Sequence, residues 1–162
     1  MSLDLFRIDE RLLHGQVIVG WGMRLHLDYY IVVDDVVAAN EWESDLYSAG
    51  LPAGVEADFV SVEEAVARFE EFDARPGKGA LLTRFPGPMR ELAEAGLLDG
   101  KRVNVGGLHA GKERRRVLPY VHLGSRDLSD LEAIAERSGR VTARDLPAAR
   151  EVSLEELIRA AR

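Results

Sequence analysis

Short β-rich segments alternate with helix-like segments along this chain, and that alternation limits its fold more than any other feature of the sequence. Seven segments combine apolar and β-branched residues in the way that is typical of strands. They are Leu3–Ile8, Tyr29–Asp34, Val55–Val60, Ala80–Phe85, Lys101–Val105, Val117–Leu123 and Val141–Leu146. Strands that alternate with helices indicate βαβ units. The sequence therefore predicts an α/β fold, doubly wound, with a mostly parallel open sheet of about seven strands and helices on both faces.

Start and stop signals mark the helices between these strands. Ser61 and Glu64 have the spacing of a capping box, and an apolar face follows it at helical spacing. The residues of that face are Val62, Ala65, Val66, Phe69 and Phe72. Further helices are predicted at Gly15–Leu25, at Asn40–Ala49, from Pro88 to a stop at Gly96, along a stripe from Leu128 to Gly139, and after a cap formed by Ser153 and Glu156.

Length, charge and residue usage exclude several classes of protein. At 162 residues the chain is long enough to bury a core unaided, and we expect residues 1–162 to form a single domain. It has no cysteine, which excludes disulfides and Cys-based metal sites. A net charge of −7 argues against nucleic acid or an anionic membrane as a partner. No apolar run has bilayer length and the N-terminus lacks signal-peptide features, so we expect a cytoplasmic protein.

The densest group of polar residues follows the first predicted strand, in the stretch RIDERLLHGQV at positions 7–17. His14 comes just before an expected helix start, whose N–H groups attract anions and disfavour a charged imidazole. Arg11 can clamp a phosphoryl group with two parallel hydrogen bonds. Asp9 can accept a proton from one ring nitrogen and leave the other free to attack, and Gly15 leaves room for a partner. Together these residues are the pattern expected around a histidine that accepts a phosphoryl group.

Other interpretations of this stretch stay open on the residues alone. A hydrogen-bonded surface histidine in a charged loop is the more common situation. A nucleotide site lacks support, because neither GxxxxGK[ST] nor GxGxxG occurs in the sequence. Among the other histidines, His26 fits a cap or surface position and His122 fits a packed strand position. They do not have the spacing of a metal site.

The stretch RIDERLLHGQV resembles the signature R-I-D-[DE]-R-L-[IL]-H-G-Q-V of the IIB subunits of the mannose/fructose/sorbose class of the bacterial sugar phosphotransferase system. The resemblance continues in the same order through nearly the whole chain. The matching stretches are IVVDD at 31–35, positions 38–40, LPAGV at 51–55, SVEEA at 61–65 and NVGGLH at 104–109.

The resemblance implies a phosphoryl carrier. IIB subunits of this class accept a phosphoryl group from a histidine of a IIA partner, hold it on Nδ1 of their own histidine, and pass it to a sugar in the IIC/IID membrane permease. Here His14 matches the acceptor, and Arg11 and Asp9 match its neighbours, with Gly15 and Gln16 as further phosphate-binding candidates. No metal or nucleotide cofactor is implied, because the P–N bond itself carries the transfer potential. Contact with the permease would bring the protein to the inner face of the membrane.

One position departs from the family pattern. Members commonly carry an arginine just inside the second helix, which is associated with passing phosphate to the sugar, and Glu43 matches that position here. A carboxylate repels a phosphoryl group, so the sequence predicts that phosphorylation of His14 is retained and that onward transfer is weakened. This leaves open a regulatory phosphorelay module without sugar transport as the alternative function.

Several further residues are weaker candidates. Arg84 and His109 follow predicted strands and are expected at the same edge of the sheet as His14, where they could bind phosphate. A basic run in an otherwise acidic chain, including Lys112, Arg114 and Arg115, could steer a phosphorylated IIA partner. A solvated loop is the more common meaning of such a run. The sequence identifies neither the sugar nor the oligomeric state, and a homo-oligomer stays open.

Overall fold

A computed structural model describes residues 1–162. The strands are β1 (Leu3–Ile8), β2 (Tyr29–Val33), β3 (Glu56–Val60), β4 (Gly79–Thr83), β5 (Arg102–Val105), β6 (Arg115–Leu118), β7 (Val121–Leu123), β8 (Arg140–Ala143) and β9 (Val152–Ser153). The helices are a π-helix (Gln16–Gly22) that continues as α1 (Met23–Leu25), then α2 (Asp35–Ala38), α3 (Glu41–Ala49), α4 (Val62–Ala67), α5 (Phe69–Asp73), α6 (Pro86–Glu94), α7 (Ser125–Arg137) and α8 (Leu154–Ala161). No helix is both long enough and apolar enough to span a bilayer.

The sheet has seven strands in the order β3-β2-β4-β1-β5-β8-β9, and all pairs are parallel except β8 with β9. This confirms the predicted α/β fold with a mostly parallel sheet. One predicted strand is wrong: Val117–Leu123 does not join the sheet. It belongs to a separate antiparallel hairpin of β6 and β7, which turns at Pro119 and Tyr120. Proline has no N–H to donate to a ladder, so a strand that included Pro119 could not run on unbroken. The short β9 supplies the seventh strand instead.

Two hydrophobic clusters cover the two faces of the sheet. A cluster of 26 buried residues includes side chains from α4 to α8, and one of 11 includes Val17 and Trp21 of the π-helix and Val37 of α2. The connection after β1 therefore packs on one face, while those after its neighbours β4 and β5 pack on the other. Where the connections after two adjacent strands run to opposite faces of the sheet, a crevice opens at the carboxyl ends of those strands. The loop that follows β1 lies at such a point.

Two predicted helices differ from the structure. The segment after Ser61 forms two short helices with a break at Arg68, and it leaves Val66 exposed while it buries Phe69 and Phe72. Of the predicted capping box, Ser61 accepts the hydrogen bond from the backbone N–H of Glu64, while the carboxylate of Glu64 pairs with Arg68. The segment from Gly15 to Leu25 is helical, but Gln16–Gly22 has π-helical geometry.

Candidate functional site

Arg7 is the buried cation beneath the site. It lies opposite Asn104 in the register of β1 with β5, and Nη1 donates to the side-chain oxygen of Asn104 and, at 2.8 Å, to the carbonyl of Arg144. Nη2 donates to Oδ2 of Asp9 at 3.0 Å and to the carbonyl of Asp145 at 3.1 Å. Burial lowers the pKa of the Arg7 guanidinium, and the charge of Asp9, which raises that pKa, offsets the effect only in part. An arginine nevertheless keeps its charge at neutral pH, so Arg7 needs these acceptors.

Asp9 lies at the centre of the hydrogen-bond network and has no exposed surface. Its carboxylate accepts from Arg7, from the backbone N–H and Nε of Arg11 at 3.0 Å each, and from Nη2 of Arg11 at 3.0 Å. Burial alone raises the pKa of this carboxyl, but hydrogen bonds from His14 and Arg11 and the charge of Arg7 outweigh it and hold the pKa well below its usual range. Asp9 is therefore an anion, which accepts hydrogen bonds and donates none.

The two ring nitrogens of His14 have different partners. Nε2 lies 3.3 Å from Oδ2 of Asp9, and Nδ1 lies 3.3 Å from the backbone N–H of Gln16. Because Asp9 can only accept, these contacts assign the proton to Nε2 and leave a lone pair on Nδ1. The side chain is 18% exposed, and a methyl group at Gly15 would meet no atom within 4 Å. The hydrogen bonds therefore make Nδ1 the ring nitrogen without a proton, on a side chain that solvent partly reaches.

Arg11 is placed between Asp9 and the start of the π-helix. Besides its paired hydrogen bonds to Asp9, its Nη1 donates to Oε1 of Gln16 at 2.5 Å. Its pKa is raised, because contacts with Asp9 outweigh the lowering that burial causes. Leu12, whose φ of 52° lies in the left-handed region, turns the chain directly after Arg11. This turn lets Arg11 and His14 both reach back to Asp9.

Two glycines after β5 make room for these charges. A Cβ atom at Gly106 would overlap the guanidinium of Arg7 and the carboxylate of Asp9. A Cβ atom at Gly107 would lie 2.8 Å from Nε of Arg11. The NVGGLH stretch thus lets its backbone lie close to the side chains of Arg7, Asp9 and Arg11 at this edge of the sheet.

Asp145, which the sequence analysis did not select, completes the group. It follows β8, and its carboxylate lies 3.5 Å from Nη2 of Arg11 and 3.5 Å from Nε2 of Gln16. Its carbonyl accepts from Nε1 of Trp21 at 2.9 Å as well as from Arg7. Asp145 lies inside the predicted strand Val141–Leu146, whereas the observed strand ends at Ala143 and leaves Asp145 at the edge of the sheet where ligands collect. The signal for Arg7 is a charged residue two positions after Leu5, on the same face of a predicted strand as that apolar side chain.

Arg84 lies next to the loop but is held by carboxylates. Its Nε donates to Oδ2 of Asp34 at 3.2 Å, and its Nη1 donates to the carbonyl of Glu10 at 3.1 Å. Its Nη2 lies 3.5 Å from Oε1 of Glu43. The carboxylate of Glu43 therefore has a cationic partner, which the sequence does not predict.

The other predicted site residues form a second network at the same edge. Nδ1 of His109 lies 3.1 Å from Oε2 of Glu10, and this histidine makes no hydrogen bond to His14. The guanidinium of Arg114 pairs with Glu10 at 2.5 Å and with Asp127 at 3.0 Å, which gives it an internal role.

The remaining basic residues and histidines lie away from this network. Lys112 and Arg115 are exposed on the loop and the hairpin. His26 is exposed after α1, and Nδ1 of His122 lies 3.2 Å from the carbonyl of Leu108. No three His, Asp or Glu side chains group in a way that could hold a metal ion.

Known proteins resemble this chain over nearly its whole length. The family model described as PTS system sorbose subfamily IIB component, where PTS is the phosphotransferase system, matches residues 3–162. The N-acetylgalactosamine-specific phosphotransferase enzyme IIB component 1 of Escherichia coli is 34% identical over 149 residues, 90% of this chain and 92% of the relative. The fructose-specific EIIB component of Bacillus subtilis is 32% identical over 148 residues, 91% of this chain and 90% of the relative. The crystal structure of the Escherichia coli N-acetylgalactosamine-specific IIB component 1 superposes with a TM-score of 0.84 at 31% identity, covering 94% of this chain and 99% of that one.

Proposed function

Because the chain belongs to the sorbose subfamily of phosphotransferase-system IIB components, we propose that it carries a phosphoryl group on Nδ1 of His14 between a IIA protein and a sugar in a IIC/IID permease. The observation that carries this proposal is the split of partners at the imidazole. Nε2 faces the anion of Asp9, while Nδ1 accepts from the backbone N–H of Gln16.

The chemistry needs no group from outside the relay. The lone pair of Nδ1 forms a P–N bond while the P–N bond to the IIA histidine breaks and its electron pair returns to that ring. Attack by Nδ1 leaves positive charge on the imidazole of His14, and the carboxylate of Asp9 balances it through the Nε2 proton. In the second step the P–N bond at Nδ1 breaks, a sugar hydroxyl takes the phosphoryl group, and the hydroxyl proton is released. Catalysis then consists of positioning and charge stabilisation.

Arg11 and Gln16 are the donors best placed to bind the phosphoryl oxygens. The backbone N–H of Gln16 contacts Nδ1 of His14, and Nη1 of Arg11 donates to the side chain of Gln16. In this scheme Asp9 and Arg7 hold Arg11 and His14 in place. The protein works on the cytoplasmic side of the membrane and meets the inner face of the permease during the second step.

A labelling experiment tests the acceptor. The protein is incubated with phosphoenolpyruvate, the general relay proteins and a matching IIA, and intact mass spectrometry follows an acid-labile gain of one phosphoryl group. We expect His14→Ala to abolish labelling, with His26→Ala and His122→Ala as matched controls that keep it. NMR of the phosphorylated ring separates Nδ1 from Nε2. Labelling retained in His14→Ala would overturn the assignment.

Vesicles that contain a matching IIC/IID permease test the second step. The related proteins carry names for different sugars, N-acetylgalactosamine and fructose among them, so both are offered to the vesicles. Formation of sugar phosphate supports the transport relay. A protein that becomes labelled on His14 but donates to no sugar would instead be the regulatory phosphorelay module that the sequence left open.

Glu43 bears on this second step. The sequence-based expectation of weak onward transfer treats its carboxylate as an unpaired charge, whereas the carboxylate lies 3.5 Å from Nη2 of Arg84. Pairing reduces the field of Glu43 at the phosphoryl group. We therefore expect Glu43→Gln to change the rate of sugar phosphorylation by less than about twofold. A rise of about tenfold would show that the carboxylate repels the phosphoryl group as the sequence alone implies.

A further inference from the structure

Asp145 holds an unusual position for a carboxylate beside a phosphate-binding site. Its backbone is fixed, because its carbonyl accepts from Nη2 of Arg7 at 3.1 Å and from Nε1 of Trp21 at 2.9 Å. Its carboxylate is weakly satisfied, since both side-chain contacts are 3.5 Å long and Oδ1 is buried without a hydrogen-bond partner. The side chain as a whole is 24% exposed, so the carboxylate is partly desolvated as well as poorly hydrogen-bonded.

The comparison with Asp9 shows which anion can change its surroundings. Asp9 accepts 3.0 Å bonds from Arg7 and from three nitrogens of Arg11, so its carboxylate is held by more and shorter contacts than that of Asp145. The charge of Arg7 also acts on Asp145, but the side-chain contacts of Asp145 are with Nη2 of Arg11 and Nε2 of Gln16. These are the side chains that the proposed function assigns to a phosphoryl group on Nδ1 of His14. Asp145 and the phosphoryl group therefore share the same donors.

We propose that Asp145 is a positioning residue that raises the phosphoryl-transfer potential of His14 by competing with the phosphoryl group for Arg11 and Gln16. In the unphosphorylated protein the carboxylate balances part of the charge of Arg11. In the phosphorylated protein those donors turn to the phosphoryl oxygens, and Asp145 remains close by as a like charge with fewer partners. The phosphorylated state rises in free energy relative to the unphosphorylated one, which favours passing the group onward.

The inference rests on the proposed function, and its test measures an equilibrium. Wild type and Asp145→Asn are each mixed with phosphorylated IIA, and intact mass spectrometry gives the ratio of phosphorylated IIB to phosphorylated IIA after the exchange has settled. We expect Asp145→Asn to shift the ratio about fivefold or more toward phosphorylated IIB. We also expect slower donation to sugar and a longer lifetime of the phosphohistidine. Asp99→Asn, at an exposed carboxylate without an ion pair, is the matched control.

A role in merely holding Arg11 predicts the opposite shift. If Asp145 only supports the fold of the site, Asp145→Asn and Asp145→Ala both weaken phosphate binding and move the ratio toward IIA. Such a shift, or an unchanged ratio, in both variants with normal circular dichroism would overturn the inference. A wild-type protein that acquires no label on His14 would instead overturn the proposed function, so the two failures are distinct.

Discussion

Asp9 is the residue on which the geometry of the site most depends, because it contacts Arg7, Arg11 and His14 at once. Asp9→Asn leaves Arg7 buried with only neutral acceptors. Removing one partner of a buried ion pair typically costs 3 kcal/mol or more, so we expect the free energy of unfolding to fall by about 3 kcal/mol at pH 7. Urea unfolding measures this, with Asp99→Asn as the exposed control.

The pH dependence of that loss follows from the lowered pKa of Asp9. A carboxyl whose pKa is lower in the folded protein stabilises the fold above its unfolded pKa, about 3.9, and loses that contribution as the pH falls toward the folded pKa. The difference between wild type and Asp9→Asn should therefore be constant from about pH 5 to 8 and shrink below about pH 4. A difference that shrinks near neutral pH would contradict the assignment of Asp9 as a permanent anion.

Arg11 tests whether the shape of the cation matters as well as its charge. Its guanidinium binds Asp9 through Nε and Nη2 while Nη1 reaches Gln16, and one ammonium cannot reproduce that arrangement. We expect Arg11→Lys to slow phosphorylation of His14 by at least about tenfold, the effect of losing a charge-assisted bond of ~1.5 kcal/mol. Rapid-quench labelling with phosphorylated IIA measures the rate. Unchanged kinetics would show that Arg11 serves only the fold.

At the scale of elements, the two glycines that follow β5 are expected to have different roles: Gly106 in stability and Gly107 in the position of Arg11. A Cβ at Gly106 would overlap the buried Arg7 and Asp9, whereas a Cβ at Gly107 would press on the partly exposed end of Arg11. We expect Gly106→Ala to lower the free energy of unfolding by about 2 kcal/mol, as overpacking does. Gly107→Ala should change stability by less than about 1 kcal/mol yet slow labelling of His14 by about tenfold, because it displaces the clamp.

Thermal unfolding and labelling rates of the two variants check this pair of expectations. Neither Gly106 nor Gly107 has a positive φ, so the contacts of the added Cβ are what distinguish the two variants. If Gly107→Ala unfolded as easily as Gly106→Ala, the two glycines would have the same structural role.

Local patterns predict the elements better than they predict the contacts between them. The bounds Leu3–Ile8 of β1 follow from local composition, and the sequence order of strands and helices gives the parallel sheet. The hairpin was not predicted because the β-rich residues on both sides of Pro119 together look like one continuous strand, Val117–Leu123. Arg7 and Asp145 were missed for a different reason: their contact depends on the register of β1 with β5 and on where the chain goes after β8, 138 positions later. Such long-range placement has no local signal.

At the scale of the whole molecule, the two clusters share one sheet, and the site spans both chain halves. Val32 and Leu82 face the 11-residue cluster while Ile31 and Leu81 face the 26-residue one. Arg7 and Trp21 near the N-terminus hold the carbonyl of Asp145 near the C-terminus. We therefore propose that residues 1–162 are a single domain that unfolds as one unit, because neither cluster can open without exposing the strands that the other covers.

The two tryptophans make it possible to measure whether the two clusters unfold together. Trp21 is 7% exposed and belongs to the smaller cluster, whereas Trp42 is 72% exposed on α3. Trp42→Phe should change stability little and leave Trp21 as the only tryptophan of the chain. Its fluorescence then reports the smaller cluster, while far-ultraviolet circular dichroism reports helices on both faces. We expect the two thermal transitions to coincide, with equal calorimetric and van't Hoff enthalpies. A Trp21 transition at lower temperature would show that the cluster next to His14 opens separately, and it would remove the basis for a single cooperative domain.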